Sequence, residues 1–221
     1  MNREKFIIQK LHTSSKRDYL KRMNNNKVQC MAVGQKFDEN YWDGHKKYGY
    51  GGYKYIKDRW KPVALKVIKN YNLKNNSRIL DIGCGKGYLL YEIKRILPNI
   101  KFFGIDVSRY AKKNAHKEVQ KNIKILNASS QYPFKKKYFD LVISVNTLHN
   151  LEINNLKKSL REISRVGKKS YIAVESFRNN IELFNLQCWA LTCKSFFSKN
   201  EWKWIFKEFQ YLGDYEFIYF K

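Results

Sequence analysis

The stretch Arg78-Ile79-Leu80-Asp81-Ile82-Gly83-Cys84-Gly85-Lys86-Gly87-Tyr88-Leu89-Leu90 decides the fold of this chain. It begins with an apolar run typical of a buried strand, passes through three glycines, and continues with the apolar spacing of a helix. A strand that turns through glycines into a helix N-terminus brings backbone N–H groups against a nucleotide. The dinucleotide fingerprint is G-x-G-x-x-G, whereas here the third glycine comes one residue early and Tyr88 follows it. The spacing D-x-G-x-G-x-G, which starts at Asp81, therefore predicts a nucleotide site of another kind.

Downstream of this turn, apolar runs that predict strands alternate with amphipathic patterns that predict helices. The predicted strands are 78–82, 101–106, 123–127, 139–145, 171–175 and 215–220, and the predicted helices are 88–97, 108–119, 153–165, a short one around 183–191, and 199–210. This alternation is typical of an α/β fold, a Rossmann-like doubly wound, mostly parallel sheet that binds ligands beyond the carboxyl ends of its strands. Only one clear strand follows the last helix. Either Thr192–Phe197 supplies an antiparallel neighbour or this edge of the sheet is trimmed.

The N-terminal part has a different character. Apolar residues at helical spacing predict helices over residues 1–36, with N-cap acceptor oxygens in Thr13-Ser14-Ser15, and a further helix over 58–72. Between them, residues 37–60 are rich in glycine and tyrosine without a regular period. This block is either a loop that packs its rings on the core or a substrate-facing lid with glycine hinges. We divide the chain into a helical cap and lid, 1–60, and a core, 61–221.

Composition limits the functions that the chain can have. The 44 Lys and Arg residues exceed the 19 Asp and Glu residues by 25, which is compatible with an anionic partner such as RNA. Lysines are scattered in short runs without interleaved aromatics, however, which favours an ordinary solvated surface. The four cysteines lack C-x-x-C spacing, so neither a metal site nor a disulfide framework is expected. We expect a cytoplasmic protein without a signal peptide or membrane span.

Polar residues recur where successive strands end. Asp106 ends the second strand, and its carboxylate can accept both hydroxyls of a ribose. Asn127-Ala128-Ser129 follows the third strand, and Asn146-Thr147-Leu148-His149-Asn150 follows the fourth. Because the carboxyl ends of parallel strands meet at one edge, we expect these residues to surround one nucleoside ligand.

From Ser77 to about Glu175 the chain resembles the class I S-adenosylmethionine (SAM) methyltransferases, in the small-molecule branch labelled type 11/12. The resemblance implies that SAM is the cofactor and S-adenosylhomocysteine the product. Val107 and Asn146 complete the set of candidate cofactor residues, which are Asp81, Gly83, Gly85, Asp106, Val107, Ala128, Ser129 and Asn146. Asn146-Thr147-Leu148-His149 lacks the Asn/Asp-Pro-Pro-aromatic turn of base-directed N-methyltransferases, which argues against methylation of nucleobase amines. The cap and the Gly/Tyr block are similar to a group of bacterial methyltransferases associated with surface-polysaccharide and sugar-modification genes.

The resemblance implies methyl transfer to a small, anionic or sugar-like acceptor, with O-methylation favoured. A hydroxyl acceptor benefits from a base, for which His149 is the first candidate and Glu175 the second. His149 has the alternatives of packing against the cofactor or capping the next helix. Candidate substrate-binding residues are Tyr48, Tyr50, Tyr53, Lys54, Arg59 and Arg178, with His12 and Arg17 as weaker candidates. Two alternatives remain open, namely an RNA-directed methyltransferase that uses the basic surface and a non-catalytic SAM-binding partner protein. The sequence does not predict an oligomeric state.

Overall fold

The computed structural model describes residues 3–14, 16–50 and 54–221. Its six strands form one parallel sheet with the order β3-β2-β1-β4-β5-β6. The strands are β1 (Arg78–Ile82), β2 (Lys101–Asp106), β3 (Ile123–Ile125), β4 (Phe139–Val145), β5 (Gly167–Glu175) and β6 (Asp214–Ile218). The order reverses between β1 and β4, so the ligand-binding switch point lies beside the glycine turn. The predicted fold class is confirmed.

Helices cover both faces of this sheet. Over residues 1–60 these are α1 (Gln9–Thr13), α2 (Tyr19–Met23), α3 (Lys27–Gly34) and α4 (Glu39–Trp42), and the core begins with α5 (Lys61–Tyr71). The core adds α6 (Tyr88–Ile96), α7 (Arg109–Lys113), α8 (Lys117–Gln120), α9 (Ile153–Val166), α10 (Asn180–Trp189) and α11 (Lys199–Glu208). Apolar residues of α5, α6 and α10 pack on one face of the sheet, and those of α9 and α11 pack on the other. Burial on both faces explains why the central strands are continuous apolar runs.

The prediction of helix throughout residues 1–36 is wrong for Arg3–Ile8. Glu4 forms a parallel bridge with Tyr215, and the backbone hydrogen bonds Lys5 N–H to Tyr215 O and Tyr215 N–H to Arg3 O measure 2.7 and 3.1 Å. The free edge of β6 therefore finds its hydrogen-bond partner in the N-terminal segment. Asp18 caps α2 by accepting from Lys21 N–H at 3.0 Å, and Ser15, in the predicted cap, lies outside the described residues.

Of the two possibilities for the last edge of the sheet, the structure has the one without an antiparallel neighbour from Thr192–Phe197. That segment forms no strand, and β6 runs parallel to β5. The predicted helix 108–119 is divided into α7 and α8. His116 N–H donates to Lys86 O at 3.0 Å, which draws the chain toward the glycine turn and interrupts the helical ladder. Within the part of the chain that the structure describes, no helix is long and apolar enough to cross a bilayer.

Candidate functional site

One cavity of about 630 Å³ lies beyond the carboxyl ends of the strands and beneath the cap. Its lining joins residues from the ends of β1, β2, β4 and β5 with residues of the N-terminal segment. The predicted site residues among them are Tyr50, Arg59, Asp81, Gly83, Gly85, Asp106, Val107, Ala128, Asn146, His149 and Glu175, together with the weaker candidates His12 and Arg17. Residues separated by more than 100 positions in the sequence therefore share one volume.

The glycine turn exposes backbone to this cavity. Gly83 has a φ of +73°, and a Cβ there would lie 2.0 Å from Thr147 Oγ1. Gly85 has a φ of +53°, and its Cβ would lie 2.7 Å from the indole ring of Trp42. Both positions combine a left-handed backbone with no room for a side chain, so only glycine fits. The space that a Cβ would need is filled by Thr147 at Gly83 and by Trp42 at Gly85.

Asp106 fastens the turn from the end of β2. Its Oδ2 accepts from Gly85 N–H at 2.7 Å, and its Oδ1 accepts from Ser108 N–H at 2.8 Å. Burial raises the pKa of Asp106, although these backbone N–H groups oppose the shift. Each carboxylate oxygen has a second lone pair, so both remain able to accept from ribose hydroxyls. Asp106 can therefore support the turn and hold a nucleoside.

The adjoining cofactor candidates provide apolar surface and one strained residue. Val107 is 49 % exposed and lines the cavity with Leu126 and Ala128. Such an exposed apolar ledge suits the flat face of a nucleobase. Asn146 has a φ of +56°, a left-handed conformation that clusters at functional sites. Ser129 does not line the cavity, since its N–H and hydroxyl both donate to Asn127 Oδ1, at 2.9 and 2.8 Å.

Asp81 lies at the base of the same region and is 4 % exposed. Burial raises its pKa to about 8, and the neighbouring Asp106 adds to the shift. Two carboxyl groups that share a buried site are not readily ionised together. A ligand that supplies hydrogen-bond donors or positive charge would relieve this repulsion.

His149 and Glu175 form a buried pair at the ends of β4 and β5. The N–H of Glu175 donates to His149 Nδ1 at 3.2 Å, which assigns the ring proton to Nε2. Nε2 then lies 3.5 Å from Glu175 Oε2, an oxygen sealed from solvent. Glu175 lines the cavity, and its side chain is 11 % exposed.

Burial sets the ionisation of this pair. It lowers the pKa of His149 to about 3, so the imidazole is neutral at physiological pH. It raises the pKa of Glu175 to about 8, while the charges of Arg17 and Lys27 act in the opposite direction. A carboxyl group whose pKa lies near the working pH suits a general base better than an imidazole that is already committed through Nδ1.

The cap supplies the opposite wall, and it uses the predicted substrate residues in different ways. The Tyr50 hydroxyl accepts from Leu191 N–H at 2.6 Å and from Thr192 N–H at 3.2 Å, so it anchors the cap to the segment after α10. Arg59 lines the cavity at the start of α5, and no carboxylate of the described residues pairs with it. Tyr50 therefore has a structural contact, whereas Arg59 is available to a ligand.

Three of the predicted substrate residues lie away from the cavity and one cannot be placed. Arg178 pairs with Glu182, with 3.0 Å between Nε and Oε2, and its guanidinium lies 4.3 Å from the Tyr219 ring. The charge of Arg178 is therefore paired with Glu182 of α10, outside the cavity. Tyr48 and Lys54 do not line the cavity either, and Tyr53 lies outside the described residues.

Sequence reasoning did not single out several residues of the lining. Trp42 rests on Gly85, and Lys86 pairs with Asp43 at 2.6 Å. The only signal for Trp42 was the N-cap Asp38, which accepts from Asn40 N–H at 2.9 Å and begins α4. Trp189 comes from α10, whose apolar residues are spread around the helix and do not mark a ligand face.

Comparisons with known proteins agree with this geometry. Residues 73–210, more than half of the chain, match the family model described as a methyltransferase domain. Human arginine-hydroxylase NDUFAF5, a mitochondrial protein, is 29 % identical over 119 residues, which are 53 % of this chain and 34 % of that protein. The carboxy-S-adenosyl-L-methionine synthase of Staphylococcus epidermidis is 30 % identical over 115 residues, half of each chain. The chain thus spans a third to a half of the length of these curated relatives.

Solved structures extend the comparison to the fold. A SAM-dependent methyltransferase from Aquifex aeolicus superimposes with a TM-score of 0.50 at 22 % identity, covering 70 % of this chain and 82 % of that one. The cavity fits the cofactor of this family, because the glycines admit no side chain and Val107 offers an exposed ledge. The chain belongs to the class I SAM-dependent methyltransferases, and its cofactor is SAM.

Proposed function

We propose that this protein transfers the methyl group of SAM to a hydroxyl of a small anionic acceptor, and that Glu175 takes the hydroxyl proton. The observation that carries the proposal is the position of Glu175. It is a buried carboxyl that lines the same cavity as the glycine turn and Asp106.

The cofactor side is formed by the strand ends. The backbone of the turn at Gly83 and Gly85, the carboxylate of Asp106 and the side chain of Val107 would hold the cofactor, with Asp106 as the acceptor for its ribose hydroxyls. When bound, SAM supplies an electrophilic methyl group on its sulfonium and leaves as S-adenosylhomocysteine. The protein mainly has to hold the acceptor in line with that methyl group and to exclude water.

Glu175 and His149 divide the work on the acceptor side. The hydroxyl oxygen of the acceptor forms a bond to the methyl carbon while the bond between that carbon and the sulfonium sulfur breaks. The hydroxyl proton passes to Glu175 Oε1. His149 stays neutral and directs its Nε2–H toward Glu175 Oε2. We therefore reverse the order that the sequence suggested, with Glu175 as the base and His149 as a positioning residue.

The charge of the cap wall supports an anionic acceptor. Arg17, Lys36 and Arg59 line this half of the cavity, and Lys194 at its rim pairs with Glu152 at 3.0 Å. An arginine forms bidentate hydrogen bonds with a carboxylate or phosphate. These cations oppose binding of a positively charged guanidinium, so the arginine-hydroxylase activity named for NDUFAF5 is not the one that we propose here.

A labelling experiment tests the proposal. The purified chain is incubated with SAM labelled in its methyl group and with 2-hydroxy acids, hydroxybenzoates, hexose phosphates, their uncharged analogues, and an arginine peptide. We expect label only on anionic hydroxyl compounds, and base-stable product will distinguish an ether from a methyl ester. Label on the arginine peptide, or equal labelling of charged and uncharged analogues, would contradict the proposal.

A matched pair of variants locates the anion site. Arg59→Met should raise KM for the labelled acceptor at least tenfold while kcat changes little, because a charge-assisted hydrogen bond is lost. Arg161→Met removes an exposed arginine of α9 outside the cavity and is the control. An equal KM for both variants would exclude Arg59 from acceptor binding.

A further inference from the structure

Helix α4 is fastened across the two loops that form the cofactor side of the cavity. One loop is the glycine turn after β1, and the other is the β2–α7 connection at Asp106–Ser108. The four-residue helix contacts both through two adjacent side chains, Trp42 and Asp43.

Trp42 makes the apolar half of this closure. Its indole ring lies so close to Gly85 that a Cβ there would be 2.7 Å away. Its Nε1–H donates to Ser108 Oγ at 2.9 Å, and the Ser108 hydroxyl donates in turn to Phe37 O at 2.5 Å. One ring thus covers the first loop and is hydrogen-bonded to the second.

Asp43 makes the polar half. Its two carboxylate oxygens accept from Lys86 Nζ at 2.6 and 2.7 Å, and Oδ2 also accepts from the Tyr110 hydroxyl at 2.9 Å. Lys86 belongs to the glycine turn itself, and its side chain is only 5 % exposed. A lysine with so little exposure depends on its carboxylate partner, because an unpaired buried charge is unfavourable.

We propose that helix α4 is the gate of the cofactor cleft and that the Lys86–Asp43 ion pair is its latch. SAM enters and S-adenosylhomocysteine leaves when the pair breaks and Trp42 lifts from Gly85. The gate lies within the block of residues 37–60 that the sequence suggested as a substrate-facing lid, but it contacts the cofactor side of the cavity. This inference rests on the cofactor side of the cavity and holds for any acceptor.

Two features make the latch suited to repeated opening. The pair is partly exposed on the Asp43 side, where the side chain keeps 25 % of its surface accessible, so water can replace the carboxylate as the helix lifts. The helix is also short, and Gly44 follows Asp43 directly, so few backbone contacts have to break. The motion therefore needs no rearrangement of the sheet.

Binding kinetics of S-adenosylhomocysteine to the full chain test the latch. Stopped-flow tryptophan fluorescence gives both rate constants. Asp43→Asn keeps the shape and removes the charge, and it should raise association and dissociation rate constants roughly tenfold each. The equilibrium constant should change much less, because both rates move together. Tyr110→Phe removes only the second contact and should give a smaller rise in both rates.

Glu118→Gln is the matched control. Glu118 pairs with Lys94 at 2.7 Å between α8 and α6, on the same face of the fold and away from α4. Its rates should stay within about twofold of the wild type, as exposed ion pairs contribute little. An association rate constant that Asp43→Asn and Tyr110→Phe both leave unchanged would overturn the proposal.

Hydrogen–deuterium exchange gives a readout that does not depend on fluorescence. In the wild type, amides of residues 37–44 should exchange faster without S-adenosylhomocysteine than with it, because the ligand holds the gate closed. In Asp43→Asn this difference should increase. Equal exchange with and without ligand in the wild type would show that α4 is a fixed wall.

Discussion

The backbone N–H of Glu175 donates to His149 Nδ1, while His149 Nε2 lies 3.5 Å from the carboxyl of the same glutamate. The two residues therefore contact each other twice, through the main chain and through the side chain. The main-chain contact fixes the imidazole tautomer, and the side-chain contact brings the imidazole Nε2 beside the carboxyl group. This double contact explains how two strand ends can hold one carboxyl group steady in a buried site.

Glu175→Gln tests the base directly. The amide keeps the size of the side chain and cannot accept a proton, so kcat should fall at least about a hundredfold. Affinity for S-adenosylhomocysteine, measured by calorimetry, should stay within a few-fold of the wild type. A decrease of kcat and of the affinity for S-adenosylhomocysteine by similar factors would place Glu175 on the cofactor side instead.

His149 should control the pH profile of turnover. His149 Nε2 lies 3.5 Å from Glu175 Oε2, and we expect it to favour the ionised carboxylate. Replacing His149 with leucine should therefore move the midpoint of the pH–rate curve upward by about one unit. His149→Gln, which retains a donor and an acceptor, should restore part of the wild-type profile. Identical profiles for the two variants would reduce His149 to a packing residue.

Stability should fall as pH rises toward 8. Burial raises the pKa of Glu175 to about 8, well above its value in an unfolded chain. The folded protein therefore holds a proton that the unfolded chain releases between about pH 4.5 and 8, so the free energy of unfolding decreases with pH across that window.

The size of this effect is at most about 1.4 kcal/mol per pH unit for each such group. Glu175→Gln should therefore show a flatter dependence than the wild type in urea unfolding at pH 6, 7 and 8. Glu208→Gln, at an exposed position on α11, should keep the wild-type slope. A wild-type slope in Glu175→Gln would mean that its carboxyl is ionised in the folded protein.

Asp106 should matter for the turn as well as for the cofactor. Asp106→Asn keeps one acceptor oxygen and loses the charge, so affinity for S-adenosylhomocysteine should fall roughly tenfold to a hundredfold. Melting temperature should also fall, since the carboxylate accepts from Gly85 and Ser108 in the absence of any ligand. Unchanged affinity by calorimetry would refute the assignment to the ribose.

Glu216 should hold the cap on the sheet. This buried carboxylate of β6 accepts from the N–H groups of Ile7, Ile8 and Gln9, at 2.5, 3.1 and 2.8 Å, and from the Tyr171 hydroxyl at 2.7 Å. Glu216→Gln retains only one acceptor oxygen, so about 2 kcal/mol of stability should be lost. The rate of proteolysis near residues 3–14 should be higher in Glu216→Gln than in the wild type. Protection equal to the wild type would mean that the cap docks by apolar contacts alone.

The parts of the fold that could be predicted from sequence are those that depend only on a local pattern of residues, such as an apolar run. The bounds of β1, β2 and β4 are those that the apolar runs indicated, because strands buried on both faces are apolar throughout. The cofactor candidates also converge, since parallel strands bring their carboxyl ends to one edge. Asp81, Asp106 and Asn146 therefore line one cavity.

The remaining features depend on partners far away in the chain. Arg3–Lys5 pairs with β6 because an edge strand needs hydrogen bonds, and no local pattern encodes that register. Tyr50 was predicted to contact the substrate, but its hydroxyl accepts from the backbone N–H of Leu191, just after α10. Glu175 gains its perturbed pKa only from the surrounding burial, so its chemistry could not be ranked above that of His149 from residue types.

The pairing of the Arg3–Lys5 segment with β6 also bears on the order in which the protein matures on the ribosome. The glycine turn, β1 and β2 can assemble as soon as they emerge, and the cofactor side needs only β4 in addition. Arg59 precedes α5, which packs on α6, but the segment Arg3–Ile8 that leads to Arg17 has no docking edge until residues 214–218 have been made. Nascent chains should thus acquire a nucleoside-binding half well before they can recognise an acceptor.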